Sequence, residues 1–274
     1  MVNEPILVGP GDSDYPAGLL DLEEPPEVWV RGQPGLRPGI AVVGTRRCTR
    51  YGVDLADAFG RIIARSGWTT VSGLARGIDT AAHRGCLRVQ GHAVAVLGSG
   101  IDVCYPPENR PVYDSILEGG GAIVSEYSPG TPPDRWRFPA RNRLIAAMSA
   151  AVVVVEAAVT GGALITARLG AEMGRSVFVV PGDIDREMSE GCNRLIRDGA
   201  HPVLGITDLV EELSLVVGPP RGRLDGEVDL PIGGALLAEL PDLWQLTVTE
   251  TLVKLGRLEM EGKVRRHGDL IVPS

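Results

Sequence analysis

The sequence predicts an α/β protein: a doubly wound, mostly parallel sheet wrapped by helices, followed by a small C-terminal winged-helix domain. Three observations carry this. From residue 40 onward short β-branched runs alternate with amphipathic stretches, the pattern of a parallel sheet covered by helices. The runs are apolar almost throughout, as strands buried on both faces must be. Beyond residue 231 the chain returns to helical spacing and closes on two short strands about a turn.

The strands are predicted, in order, at 40–43, 69–71, 93–97, 122–124, 151–155 and 177–180. Between the first two, Tyr51, Leu55, Phe59, Ile62 and Ile63 share one helical face, and Gly67 follows as a stop. Helices are expected over 77–90, 108–118, 141–149 and 163–173, with a short one over 191–200 after the sixth strand. Residues 1–37 read as an N-terminal extension and 38–213 as the sheet domain. Residues 214–231 read as a linker, where Gly, Pro, Arg and Asp replace periodicity. In 232–274, Leu236, Leu237 and Leu240, then Val248, Leu252, Leu255 and Leu258, keep helical spacing. Strands at 262–265 and 270–272 then flank His267-Gly268.

The net charge of −8 argues at first against a nucleic-acid partner, but the charges are unevenly placed. Residues 1–37 hold 7 acids and 2 bases, residues 206–274 hold 12 and 7, and residues 38–205 hold 18 Arg against 16 acids. Lys254 and Lys263 are the only lysines, so every cation of the sheet domain is Arg, the side chain suited to bidentate phosphate contacts and stacking. Cys48, Cys86, Cys104 and Cys192 are scattered, which predicts neither a metal site nor a disulfide framework. No apolar run reaches bilayer length and the acidic N-terminus lacks a signal-peptide layout, so a cytoplasmic protein without a membrane partner is expected.

In a doubly wound sheet, ligands bind outside the carboxyl ends of the strands, so the loops there carry the functional signal. The first, Gly44-Thr45-Arg46-Arg47-Cys48-Thr49-Arg50, lacks G-x-G-x-x-G and gives no reason to expect a dinucleotide cofactor. Its arginines at a helix N-terminus suit a phosphate, helped by the helix dipole and free N–H groups. The alternative is a solvated basic turn. In the second loop, Gly73 and Gly77 allow close backbone approach. Ser72, Asp79 and His83 there read better as a helix-start cluster, Asp79 and His83 paired at i,i+4, than as a hydrolytic triad. Gly98-Ser99-Gly100 is a lone G-x-G, a nucleotide loop or only a tight turn. The fourth loop alternates Arg135, Arg137, Arg141 and Arg143 with Trp136 and Phe138, a combination that holds single strands. Either ring also fits as a core plug. Gly161-Gly162-Ala163 opens a further helix with free amides and the Thr166 hydroxyl.

Read in order, the motifs YPAGLL (15–20), VVGTR (42–46), SGLARGIDTAAH (72–83), AVLGSGIDVCYPPEN (95–109), SEY (125–127), FPARNRLIAAMS (138–149), ALITARLGAEMGRSVFVVPG (163–182) and GCNRLIRDGA (191–200) resemble the DNA-processing protein A (DprA, or Smf) family. The resemblance implies a Rossmann-like core without enzymatic activity, a homodimer, sequence-independent binding of single-stranded DNA, and delivery of that DNA to the recombinase RecA in natural transformation. It carries Arg46, Phe138, Arg141 and Asn142 over as DNA contacts. With the loops above, the expected DNA-binding set is Arg46, Arg47, Gly73, Arg137, Phe138, Arg141, Asn142, Arg143, Gly162 and Thr166. Arg46 and Arg141 are expected to be exposed and to contribute little to stability. One departure is Gly161-Gly162-Ala163 where the family usually has Ser-Gly-Ser, which removes two hydroxyls. The adjacent Leu195 and Ile196 are the expected dimer contacts, one facing the sheet and the other outward. The competing readings are an enzyme related to the phosphoribohydrolases, whose P-G-G-x-G-T-x-x-E loop has lost its Glu here, and a nucleotide sensor on the same fold.

Overall fold

A computed structural model describes residues 4–35, 38–219, 230, 235–244, 246–260 and 263–273. The chain divides into two compact units, Met1–Gly222 and Arg223–Ser274.

The first unit carries β1 (Ile6–Val8), β2 (Val28–Gly32), β3 (Gly39–Val43), α1 (Arg50–Arg65), β4 (Thr69–Ser72), α2 (Ile78–Arg88), β5 (Ala93–Leu97), α3 (Arg110–Glu118) and β6 (Ala122–Ser125). It continues with α4 (Arg137–Ala147), β7 (Ala151–Val154), α5 (Gly162–Glu172), β8 (Ser176–Val179), α6 (Glu187–Arg197), β9 (His201–Pro202) and α7 (Ile206–Val217). The strands form one nine-stranded sheet in the order β1-β2-β6-β5-β4-β3-β7-β8-β9. Pairing is parallel from β6 to β9 and antiparallel at β1–β2 and β2–β6. The fold is Rossmann-like, and the strand order reverses between β3 and β7.

Alternation along each strand assigns the two faces. Ala41, Val43, Val152 and Val154 pack with Leu144 and Ile145 of α4 and Leu164 of α5 on one side. Ile40, Val42 and Val153 pack with Phe59 of α1, Ala82 of α2 and Leu213 of α7 on the other.

Several boundaries differ from the sequence reading; α6, for one, begins at Glu187 rather than 191, and the strand expected at 262–265 runs to His267. Residues 1–37 are no separate extension, since β1 and β2 join the main sheet. Helix α4 begins at Arg137, not 141, so the Arg-aromatic segment lies inside it from Arg137 on, with Trp136 at its N-cap. The expected linker 214–231 overlaps the end of α7, and its residues 220–229 and 231 lie outside the described residues.

In the second unit, β10 (Ala235–Leu236), α8 (Leu240–Trp244), α9 (Val248–Met260), β11 (Val264–His267) and β12 (Leu270–Pro273) follow one another, so a short strand precedes the expected helices and closing hairpin. The sheet runs β10-β12-β11 over a core that includes Leu240, Trp244, Leu255 and Ile271. Leu236, expected in a helix, is in β10. Residues 231–234, 245, 261, 262 and 274 lie outside the described residues.

Helices α1 and α2 cross at two glycines. A Cβ on Gly60 would overlap the Ala82 carbonyl oxygen, and one on Gly85 the Asp57 carbonyl oxygen. Backbone on both sides leaves no side chain to swing away. Gly60→Ala is therefore expected to lower the thermal midpoint by an overpacking cost of about 1–3 kcal/mol. That outweighs the roughly 1 kcal/mol alanine gains over glycine in a helix. A melt with an unchanged or raised midpoint refutes the close crossing.

Candidate nucleic-acid interface

The carboxyl ends of β3, β4 and β5 meet the first turns of α4. On that helix Phe138, Arg141, Asn142 and Ile145 fall at i, i+3, i+4 and i+7, so one face carries all four toward the strand ends. Arg141 is only 4% exposed. Its Nη1 donates to the Gly73 carbonyl at 2.9 Å and also to the Val96 carbonyl. Burial lowers its pKa to about 10, opposed by Asp79, which leaves it charged at neutral pH. Asp79 accepts from the Gly73 amide at 3.1 Å and the Ala75 amide at 3.4 Å. Burial raises its pKa, and Arg141 counteracts the rise. A Cβ on Gly73 would overlap the guanidinium, so glycine is required there. The expectation of an exposed Arg141 is thus corrected: the earlier start of α4 turns it inward.

Phe138 lies at the mouth of a shallow pocket that Arg46, Gly73, Arg76, Tyr105 and Arg141 also line. The Arg46 guanidinium stands 5.2 Å from the Phe138 ring centroid. The Tyr105 ring is 5.5 Å away, tilted by 31°. Beneath, a Cβ on Gly98 would come within 2.9 Å of Phe138 Cδ1, so the ring rests on bare backbone. Many arginines of this unit pair with acids, as in Arg50–Asp54, Arg110–Asp114 and Arg194–Glu190. Among the described residues, Arg46, Arg47 and Arg135 make no ion pair and present uncompensated charge at this edge.

Loop 44–49 is held from within. The Thr45 amide donates to the Glu156 carbonyl at 2.7 Å, and the Arg47 amide to Thr45 Oγ1 at 3.1 Å. The Glu156 carboxylate accepts from the Thr49 amide at 2.8 Å and from Thr49 Oγ1 at 2.5 Å. Thr49 Oγ1 in turn accepts from the Gly52 amide at 3.0 Å, which caps α1. Gly77, at φ +81°, lets α2 start directly against the Thr45 carbonyl. The Thr49 and Gly52 amides at the start of α1 are therefore taken by the protein's own carboxylate and hydroxyl, which leaves fewer free N–H groups there than expected.

The remaining expected residues separate. Asn142 donates to the Gly162 carbonyl at 3.1 Å and links α4 to the start of α5. Thr166 is buried at 1% exposure, and Arg143 is engaged by Glu126. Arg137 lies 4.9 Å over Tyr127 and 5.2 Å over Trp136. Ser72 donates to the Val42 carbonyl, and His83 is fully buried. Burial lowers the His83 pKa to about 3 and keeps it neutral. No triad forms, and the expected Asp79–His83 pair is replaced by Asp79 bonding to loop amides. Leu195 and Ile196 are both half-buried against the sheet core, so neither points outward as expected. Among the described residues no group of acids, His and Cys is placed to hold a metal ion, and no helix is long and apolar enough to cross a membrane.

Residues 6–214 match the family model of DNA recombination-mediator protein A. The chain belongs to this family. Protein Smf of Synechocystis is 42% identical over 77% of this chain and 55% of its own length, and the Escherichia coli Smf is 42% identical over 74% and 56%. The chain thus spans little more than half the length of these curated relatives. The DNA processing protein DprA of Streptococcus pneumoniae is 40% identical over 73% of this chain and 72% of its own. Its crystal structure superposes with a TM-score of 0.70 at 38% identity, covering 77% of this chain and 75% of that one. DNA processing protein A of Helicobacter pylori, whose structure addresses its mode of binding single-stranded DNA, superposes with a TM-score of 0.69 at 28% identity over 77% and 95%.

Within this recombination-mediator fold, sequence reasoning missed Tyr105, Arg76 and Glu156 as parts of the site. Tyr105 and Arg76 lie in loops after β5 and β4, so the strand-end rule alone would have found them. Glu156 acts through a contact 107 residues away in sequence, with no local signal.

Arg141→Ala is expected to destabilise the family fold by about 3–5 kcal/mol, because two carbonyls and the Asp79 carboxyl lose a buried partner. Arg46→Ala is expected to stay within about 0.5 kcal/mol of wild type, as exposed charges do. Chemical denaturation of both checks the contrast, and equal midpoints contradict it.

Proposed function

We propose that this chain binds single-stranded DNA without regard to sequence and delivers it to the RecA recombinase in natural transformation, acting in the cytoplasm as a homodimer. The observation that carries the reading is Arg46 stacked over Phe138 beside Tyr105, with Arg47 and Arg135 making no ion pair among the described residues. Aromatic faces take unpaired bases and guanidinium groups follow phosphates. The Helicobacter pylori relative, described for its single-stranded DNA binding mode, supports the same use of this fold.

Two rival readings are weaker for physical reasons. At the reversal point between β3 and β7, where a dinucleotide pyrophosphate would sit, the Glu156 carboxylate already takes the Thr49 amide and hydroxyl. A second anion there meets like charge. A hydrolytic site needs a base within reach of substrate, and His83 and Asp79 are buried, Asp79 committed to loop amides. The reading is therefore of a binding protein rather than an enzyme.

Fluorescence anisotropy with oligothymidylate is expected to show affinity that falls steeply with salt, each neutralised phosphate releasing counterions. Arg46→Ala is expected to weaken binding by about 1–3 kcal/mol and reduce the salt slope by about one. A flat salt response, or tighter binding of AMP than of the oligomer, defeats the reading. Loading is tested by whether the protein speeds RecA filament formation on strands already coated with a single-strand-binding protein.

The homodimer reading moves from Leu195 and Ile196 to their neighbourhood. Strand β9 ends the nine-stranded sheet; Leu204, two residues past it, is 79% exposed, and Ile184, between β8 and α6, is 95% exposed. A two-fold contact there covers both. Light scattering is expected to give a dimer for wild type and a monomer for Ile184→Arg with Leu204→Arg. A double variant that stays dimeric places the contact elsewhere.

A further inference from the structure

Trp136 stands at the N-cap of α4 with its side chain 59% exposed. An isolated exposed aromatic needs no explanation, but this ring is open and yet held. Its Nε1 donates to Asp134 Oδ2 at 2.9 Å. Its edge meets Tyr127 at 6.2 Å and 88°. The Arg137 guanidinium lies 5.2 Å from its ring centroid and 4.9 Å from that of Tyr127, and donates to the Pro132 carbonyl. The nitrogen, an edge and a face are thus fixed, and rotamer freedom that a loose surface ring would lose on binding is already spent. Arg135, the preceding residue, is exposed and makes no ion pair among the described residues. A fixed open ring beside uncompensated guanidinium groups is the combination that stacks an unpaired base and tracks its phosphate.

Helical geometry separates this ring from Phe138. Residues two apart on a helix project about 200° apart, so one base does not reach both. We propose that Trp136, backed by Tyr127 and Arg137, is a second base-stacking position that takes a different nucleobase of the same strand from the one at Phe138 and Tyr105. Arg135 faces the phosphate between them. This rests on the reading of the Phe138 pocket as a single-strand site.

The test compares wild type, Trp136→Phe and Trp136→Ala on an oligothymidylate of about 12 nucleotides and an abasic strand of equal length. Trp136→Ala is expected to weaken oligothymidylate binding on the order of tenfold. Trp136→Phe keeps most of the affinity, because a benzene ring still stacks. Abasic-strand affinity and thermal midpoint stay the same in all three proteins. Tryptophan fluorescence of wild type falls as oligothymidylate binds, and that fall is lost in Trp136→Phe. If Trp136→Ala binds oligothymidylate as tightly as wild type, or loses abasic and thymidine strands equally, the second position is overturned while the Phe138 reading stands. If wild type binds neither strand, the pocket reading itself has failed, and this inference with it.

Discussion

The guanidinium of Arg141, buried between the carbonyl oxygens of Gly73 and Val96, fixes how α4 crosses the strand ends. Parallel strands finish with carbonyls that the ladder no longer uses, and buried carbonyls need donors. A planar fork with several N–H groups reaches two of them at once, which a lysine ammonium does with less fixed geometry. Desolvating the cation is costly, and the carbonyls and the Asp79 carboxyl offset that cost together. Once Arg141 is seated, Phe138, three residues earlier on the same helical face, has one place to go: over Gly98 at the mouth. Gly73 must then lack a side chain, since a Cβ would occupy the guanidinium's position. Packing, charge and the placement of the candidate ligand ring therefore share a single origin.

A second constraint decides where a ligand fits. Folds of this class offer the crevice where strand order reverses, here between β3 and β7. Glu156, at the end of β7, closes that crevice by bonding Thr49 at the start of α1. The same bonds hold loop 44–49 in place, so Arg46 is aimed sideways over Phe138 and away from the reversal point. An internal carboxylate thus moves the usable positive charge from the usual nucleotide position to the neighbouring mouth above β4 and β5. An acidic chain becomes locally basic by pairing many of its arginines while Arg46, Arg47 and Arg135 make no ion pair among the described residues.

The parallel strands were legible because each is a run of buried β-branched residues, and DprA motifs are dense across the same region. Strands β1 and β2 were not. Ile6 and Leu7 are exposed, and Pro and Glu crowd the segment between the strands, so no buried run marks this antiparallel edge. The start of α4 was misplaced because Pro139 and a string of arginines read as loop, although proline is tolerated in a first helical turn. That shift of four residues rotated the whole segment, which is why Arg141 looked exposed and Trp136 ambiguous between core and surface. Helix α7 was hidden by the change of texture after Leu213, which is propensity speaking for residues that Leu209 and Leu213 anchor by packing. Glu156 shows the other limit: a lone acid after a strand has no local pattern, and its role exists only in the fold.

The proposed indifference to base sequence rests on how the polar groups at this edge are spent. Base edges are read by amides and guanidinium forks free to form paired hydrogen bonds. Here the Asn142 amide is committed to the Gly162 carbonyl, Arg143 to Glu126, and Arg141 to backbone beneath the surface. Arg76 is bound to Glu108, and Arg137 is flattened on Tyr127 and Trp136. What stays open is of another kind: the exposed ring of Trp136, the solvent-facing parts of Tyr105 and Phe138, and the charge of Arg46, Arg47 and Arg135, which make no ion pair among the described residues. A ring face accepts any base and a guanidinium accepts any phosphate. In the proposed reading, the internal bonding that occupies these polar groups is thus also what leaves the edge without the means to discriminate one base from another.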